Sequence, residues 1–357
     1  MISYLAIYEM KKKILFLLPN LNYGGAEKVT INFFNYLDKK KFDKKLLIQG
    51  SKGPLSQKIF NNNKVIYFKS KRLITFSLFF IKYLKKNKFD FVYSTLSHVS
   101  MFLLILKIFG ILECKLIIRE SNFIKNIINS SKIKYLLLIY YKYLYHKIDT
   151  VIASSRTIQK DILNLTKIKK KKTIIIYNPL EKNFFKKKQK KINLKNLKLL
   201  SIGRLSIQKD YENLLIILSK NNHFKWKLKI IGDGEKKQII TDLIKKLNLT
   251  SKVKIIKESS QIGKEIMMCD FYINSSKWEG MPNAVIESLV MKKKIFFINK
   301  IEVFSELKKF FPEQIFYLKK NISFTKKNFS PLNNINNKNI HLFNIENAIN
   351  KFESILK

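Results

Sequence analysis

Short apolar runs alternate with longer segments of helical period along nearly the whole chain, and they do so in two series. The first series reads "KILFLLP", a helical stretch over 25–37, "KKLLIQG", "KVIYFKS", a helix near 75–86, "FDFVYST" and "CKLIIRE". It goes on through a helical stretch at 131–147, "DTVIASS", a helix at 156–165 and "KTIIIYNP". A stretch dense in Lys and Asn, "EKNFFKKKQKKINLKN", breaks the rhythm. The second series then runs "LKLLSIGRL", helix 210–220, "WKLKIIGDG", helix 235–248, "KVKIIK", helix 261–268, "DFYINSS", helix 283–291 and "KIFFIN". Strand-like runs separated by helices describe a parallel sheet covered by helices. Two such series predict an α/β chain of two doubly wound, Rossmann-like domains. A ligand is expected in a cleft between them, where strand carboxyl ends and helix amino ends collect. The expected boundaries are 10–180, a linker at 181–196, a second domain at 197–340 and a closing helix at 341–357. A length of 357 residues suits two cores, and 46% hydrophobic residues can fill them.

Charge narrows the partners less than its size suggests. Lys and Arg number 70 against 25 Asp and Glu, a net +45, which attracts anions: nucleic acid, an anionic leaflet or a phosphorylated substrate. A codon bias toward A and T enriches Lys, Ile and Asn in the same way, and most lysines here stand singly between apolar positions, as on solvated faces. The only cysteines, Cys114 and Cys269, exclude a disulfide framework and point to a reducing compartment. Four His without ligand spacing lead to the expectation of no bound metal and no cofactor. After Met10 the "MKKKILFLLPN" stretch is too short in its apolar part for an export signal. The longest apolar stretch, 99–112, contains Lys107 and is too short to span a membrane.

Three segments carry chemistry. "PNLNYGGAEK" leads a strand through Gly24 and Gly25 into a helix, which fits either backbone amides facing a phosphate or sugar, or a tight strand-to-helix turn. "GRLSIQKDYENLL" places Arg204 and Lys209 in a loop at a strand's carboxyl end, a fork and a point charge suited to a diphosphate. "SSKWEGMPNAVIESL" reads as strand end, loop and a helix opened by Pro282, with Glu279 beside the amides of Gly280, Met281 and Asn283 and with Glu287 farther along. Glu287 alone reads as an ordinary helix-surface carboxylate, but two Glu across a loop-to-helix junction form a distinctive arrangement.

At these residues the sequence resembles the retaining GT-B glycosyltransferases of family 4, whose signature is E-G-x-P-x-x-x-x-E with G-R-x-x-x-x-K upstream. "GGAEK", "VIASS", "IYNPL" and "IIGDGE" extend the resemblance along nearly the whole chain. The resemblance implies that Arg204 and Lys209 hold the donor diphosphate, Glu279 contacts the donor sugar and Glu287 anchors the nucleotide ribose. Gly280, Met281 and Asn283 would complete the sugar site, while Gly24 and Gly25 would face the diphosphate and acceptor. His98 in "STLSHVS" and Arg119 and Glu120 in "IIRESN" would border the acceptor; Arg119 and Glu120 read equally as a strand-end ion pair. The implied reaction retains anomeric configuration without an enzymic nucleophile or metal, on a nucleotide sugar and a glycan or lipid-linked acceptor. One departure is the 292–294 turn, all Lys, where the family commonly has a small or Gly-containing turn.

Two segments interleave apolar and basic residues, "RLITFSLFFIKYLKK" at 72–86 and "KIKYLLLIYYKYLYHK" at 132–147. Either could lie on an anionic membrane surface on the cytoplasmic side, or form a core stripe with Lys outside. The rival readings are a nucleic-acid-binding protein, which explains the charge but not the paired Glu motif, a sugar-nucleotide epimerase or phosphorylase, and a non-catalytic sugar-binding module. No specific nucleic-acid partner is expected.

Overall fold

The computed structural model describes residues 10–22, 24–70, 73–185, 195–221, 225–259, 261–318 and 339–357. The chain divides into two compact units: Met1–Pro179 together with Ile345–Lys357, and Leu180–Asn344. Part of the expected linker, 186–194, lies outside the described residues.

In the first unit, strands β1 Lys12–Leu18, β2 Phe42–Ile48, β3 Val65–Tyr67, β4 Phe91–Ser94, β5 Lys115–Glu120, β6 Thr150–Ala153 and β7 Thr173–Ile175 form one sheet. Its order is β3-β2-β1-β4-β5-β6-β7, and every pair is parallel. A parallel sheet is covered on both faces, so its strands are apolar on both sides. Along β1, Leu15 and Leu17 enter one core while Ile14, Phe16 and Leu18 enter the other. The first core is covered by helices Leu73–Lys86 and Ser97–Ile108, with Leu137, Tyr140, Tyr141 and Tyr145 from the stretch after β5.

The second core of this unit contains helix Gly25–Tyr36 and the helix Ile345–Ser354. Phe33 and Phe352 stack with centroids 4.7 Å apart, and Tyr93 meets Phe352 edge-on at 5.6 Å. The closing helix, expected as a segment of its own, is therefore a covering layer of the first sheet. Its apolar positions Ile345, Ala348, Ile349 and Phe352 recur at helical spacing and supply the face that packs.

In the second unit, β8 Leu197–Ile202, β9 Trp226–Ile231, β10 Val253–Ile256, β11 Phe271–Asn274, β12 Lys294–Phe297 and β13 Ile315–Tyr317 pair in the order β10-β9-β8-β11-β12-β13, again all parallel. Helix Phe304–Phe310 and β13 lie beyond the last strand read from the sequence. The stretch expected as one helix over 131–147 is instead helix Lys134–Ile139, a π turn at Tyr140–Leu144 and a 3-10 turn at Tyr145–Lys147.

Three helices end alike, in a left-handed residue: Gly110 (φ 73°), Asn248 (φ 55°) and Lys292 (φ 61°). Each end makes the same pair of closing bonds, for example Lys292 N–H to Leu289 O at 2.9 Å and Lys293 N–H to Ser288 O at 2.9 Å. The all-Lys turn thus keeps the backbone shape that suits glycine and carries the steric penalty of a side chain there. Among the described residues no helix is long and apolar enough to cross a membrane.

Candidate active site

The carboxyl ends of β8 and β9 run in contact because glycines let them. A Cβ on Gly232 would lie 2.0 Å from the Gly203 carbonyl oxygen, and one on Gly234 would lie 2.5 Å from that of Leu205. Gly203 N–H bonds Ile231 O at 3.0 Å, and Leu205 N–H bonds Asp233 O at 3.0 Å, so "GRLS" is stitched to "IGDG". After a 3-10 turn at Ile207–Lys209, Asp210 takes a left-handed conformation (φ 50°) and launches helix Tyr211–Ser219. The stem of Lys209 crosses directly over Gly203, whose Cβ would meet Lys209 Cε at 2.6 Å.

This turn is clasped to the loop after β11. Gln208 Nε2 donates to Trp278 O at 2.8 Å, Lys277 N–H donates to Gln208 O at 2.8 Å, and Ser275 Oγ donates to Lys209 O at 2.6 Å. Lys277 Nζ lies 3.4 Å from Asp210 Oδ1, and Asn299 Nδ2, just past β12, donates to Ser275 O at 2.7 Å. The result is a direct ion pair between Lys209 Nζ and Glu279 Oε1, with Ser276 Oγ donating to the same oxygen at 2.8 Å. Glu279 is 7% exposed, a burial that a carboxylate tolerates when it is paired and hydrogen-bonded. Two motifs far apart in sequence thus converge on one carboxylate.

Arg204 stands exposed in the same loop, its Cγ against Gly234. Gly280 and Met281 are buried, and Asn283, half-buried, is the first residue of helix Asn283–Val290. Pro282 caps that helix from outside and is not its first residue, one position from the expectation. Glu287 is 3% exposed. Its reading as an ordinary helix-surface carboxylate is therefore wrong: the helix turns this position inward. Tyr272 on β11 lies within electrostatic reach of both Glu279 and Glu287; burial above all, and then Tyr211 and these carboxylates, hold its phenol well above the ordinary value. Ser276, Gln208, Asp210 and Asn299 escaped the sequence reading. Only Asp210, an acidic residue ahead of a helix, left a signal there.

The first unit arranges its residues differently. Gly24 caps helix Gly25–Tyr36, but the Glu27 carboxylate folds back over it, 2.0 Å from where a Cβ would stand. The helix start already faces the protein's own anion. His98 is exposed at the first turn of helix Ser97–Ile108, where the surrounding protein holds its imidazole below the usual value by desolvation. Arg119 and Glu120 close β5 and are 1% and 2% exposed. Adjacent strand residues point to opposite faces, and the strand-end ion pair does not form among the described residues. Arg119 Nη2 donates to Asn178 Oδ1, while its Nε and Nη1 are buried without a hydrogen-bond partner. On the other face, Glu120 Oε1 accepts from Tyr145 at 3.1 Å and Tyr141 at 3.2 Å. Burial pushes the Glu120 carboxyl up to about 7 despite those two phenols.

A depression of about 350 Å³ lined by Lys12, Asp90, Glu113 and Lys115 lies at the amino ends of β1, β4 and β5, the end of a parallel sheet at which ligands do not collect. Among the described residues no three His, Cys, Asp or Glu are grouped as metal ligands.

Two sequence families match the chain: Glycosyltransferase Family 4 over residues 23–184 and Glycosyl transferases group 1 over 182–310. A Campylobacter jejuni relative is an N-acetylgalactosamine-N,N'-diacetylbacillosaminyl-diphospho-undecaprenol 4-alpha-N-acetylgalactosaminyltransferase. It is 29% identical over 294 residues, 78% of each chain. The amylovoran biosynthesis glycosyltransferase AmsD of Erwinia amylovora is 34% identical over 94 residues, 26% of this chain and 27% of that one. Among solved structures, Anabaena HepE in complex with UDP-glucose superposes with a TM-score of 0.77 at 16% identity, covering 96% of this chain and 99% of that one.

Proposed function

We propose, from the premise that this chain belongs to glycosyltransferase family 4 and has the GT-B architecture, that it is a retaining, metal-independent transferase. It moves a sugar from a UDP-sugar to a glycan or lipid-linked acceptor in cell-envelope polysaccharide synthesis, peripherally on the cytoplasmic face of a membrane. The observation that carries the reading is the convergence of Lys209, Ser276 and Glu279 at the carboxyl end of β8 and β11.

In this reading Arg204 and Lys209 neutralise the donor diphosphate, Glu279 with the backbone around Gly280 to Asn283 holds the sugar, and Glu287 holds the ribose. The bond from the anomeric carbon to the phosphate oxygen breaks as the acceptor oxygen bonds to the same face. The acceptor's proton passes to the leaving phosphate oxygen, so the protein needs no nucleophile. Its contribution is positioning and charge stabilisation aimed at the departing diphosphate. The Lys209 ammonium has three donors, so it can keep its hold on Glu279 while it faces that charge. The UDP-glucose complex of Anabaena HepE supports the choice of donor, and the diphospho-undecaprenol in the Campylobacter relative's name supports the choice of acceptor.

Calorimetric titration with UDP, GDP and a panel of UDP-sugars at moderate salt tests the reading. Saturable binding of UDP that Arg204→Ala loses is expected; no binding of any nucleotide would overturn it.

A further inference from the structure

The two segments that interleave basic and apolar residues part company in three dimensions. In helix Leu73–Lys86, Phe76, Phe80 and Leu84 are buried, and Leu78 is the one exposed large apolar side chain among the described residues. Over 75–86 that helix is a core stripe with lysines outside. The run 134–147 is apolar on both sides. Leu137, Tyr140, Tyr141 and Tyr145 face the core, while Tyr135, Leu136, Leu138, Ile139 and Tyr143 are 71, 56, 45, 51 and 51% exposed. A helix apolar all round belongs inside a protein or against lipid, and a contiguous apolar patch of this kind marks an interaction surface.

The charge around the patch selects the partner. No acidic residue occurs between positions 121 and 148, whereas Lys125, Lys132, Lys134, Lys142 and Lys147 do. Lys134 Nζ sits 5.0 Å from the ring centre of Tyr135, and Lys142 Nζ sits 5.4 Å from that of Tyr143, placing cations beside amphipathic rings. Tyrosine and lysine around exposed Leu and Ile suit the headgroup level of an anionic leaflet. A second copy of the same face would set lysines against lysines. The patch is also held in place from its inner side: Tyr141 and Tyr145, both in the core, bond Glu120, and Tyr141 bonds Ser97 at 3.1 Å.

We propose that the outer face of 134–147 docks on an anionic bilayer surface and that helix Leu73–Lys86 does not; this rests on the reading of the chain as a transferase working at a membrane. The full chain is sedimented with phosphatidylcholine vesicles carrying increasing phosphatidylglycerol, and UDP binding is measured on every variant. Bound protein should rise with anionic content and fall at least tenfold in Leu136→Glu/Ile139→Glu. Lys134→Glu/Lys142→Glu should lose most of the dependence on phosphatidylglycerol, and Lys82→Glu/Lys85→Glu should stay within about threefold of wild type. Unchanged sedimentation of Leu136→Glu/Ile139→Glu, or an equal loss in Lys82→Glu/Lys85→Glu, overturns the proposal. So does a lipid-free dimer that Leu136→Glu/Ile139→Glu turns into a monomer, since the face then joins two copies. Vesicle binding without UDP binding leaves the docking surface standing and removes the transferase reading instead.

Discussion

At the carboxyl end of the second unit's sheet, charged side chains find one another; at that of the first unit, they turn apart. Lys209 and Glu279 come from separate loops and close on each other beside Ser276. Arg119 and Glu120 are neighbours in sequence and leave β5 on opposite faces, one toward Asn178 and the other toward two tyrosines. Loops bring distant residues together, whereas a strand separates adjacent ones. The second unit's pair joins two loops at the sheet's carboxyl end, while Arg119 and Glu120 of the first are fixed in the interior.

The largest effect separating the two ends is chemical. Glu279→Gln and Lys209→Ala should each lower sugar transfer by about 10²–10³-fold, the scale of one lost stabilising contact in a transition state. Circular dichroism should still report a folded chain, and turnover like wild type in either variant would place the chemistry elsewhere.

Next in size is a pH effect in the first unit. The folded value of Glu120, about 7, lies above its ordinary 4.5, so the folded state keeps a proton that the unfolded state has released. That contribution to stability is full below about pH 4.5 and is lost as pH rises toward 7. Glu120→Gln should accordingly gain on wild type over this window, by up to about 3 kcal/mol. Urea titrations at several pH values read the gain, and parallel curves would show that the carboxyl is not held protonated.

Arg119→Leu probes the buried guanidinium with two unpaired donors. Replacing such a charge with an apolar side chain is neutral or stabilising by about 1–2 kcal/mol; a large loss in the same urea assay would reveal an anionic partner for Arg119. Smallest is Lys292→Gly in the second unit. Relief of the left-handed residue should stabilise by about 1 kcal/mol, measured as a rise in the denaturation midpoint, and a fall would mean that the Lys292 side chain matters more than its backbone.

Much of the architecture was legible. Apolar runs marked most of the strands of both sheets, and helix 156–165 matches Arg156–Leu165 to the residue. Among the site residues, the spacing of Arg204, Lys209, Glu279 and Glu287 put them on the right elements, because loops at strand ends and the helix after Pro282 are local features. Burial was not local. Glu287 faces inward because of what packs on its helix, and Ser276 matters because Gln208 and Ser275 pull two loops together. The ion-pair reading of Arg119 and Glu120 left out the alternation of a strand, which sends adjacent side chains to opposite faces. The π turn at Tyr140–Leu144 had no sequence mark; it lies where Tyr140, Tyr141 and Tyr145 all enter the core.

The return of helix Ile345–Ser354 to the first sheet has a consequence for how this protein is made. The polypeptide leaves the first unit at Pro179 and rejoins it only at Ile345. On a translating ribosome, the amino-terminal part of the first unit waits through the synthesis of Leu180–Asn344 before the chain supplies Ile349, Phe352 and the Leu356 carbonyl that Lys12 Nζ reaches at 3.1 Å. At ordinary elongation rates the interval is on the order of ten seconds. Through it, Phe33 and Tyr93 lack the ring of Phe352 that they meet in the folded unit. The unit whose residues are made first is the one completed last.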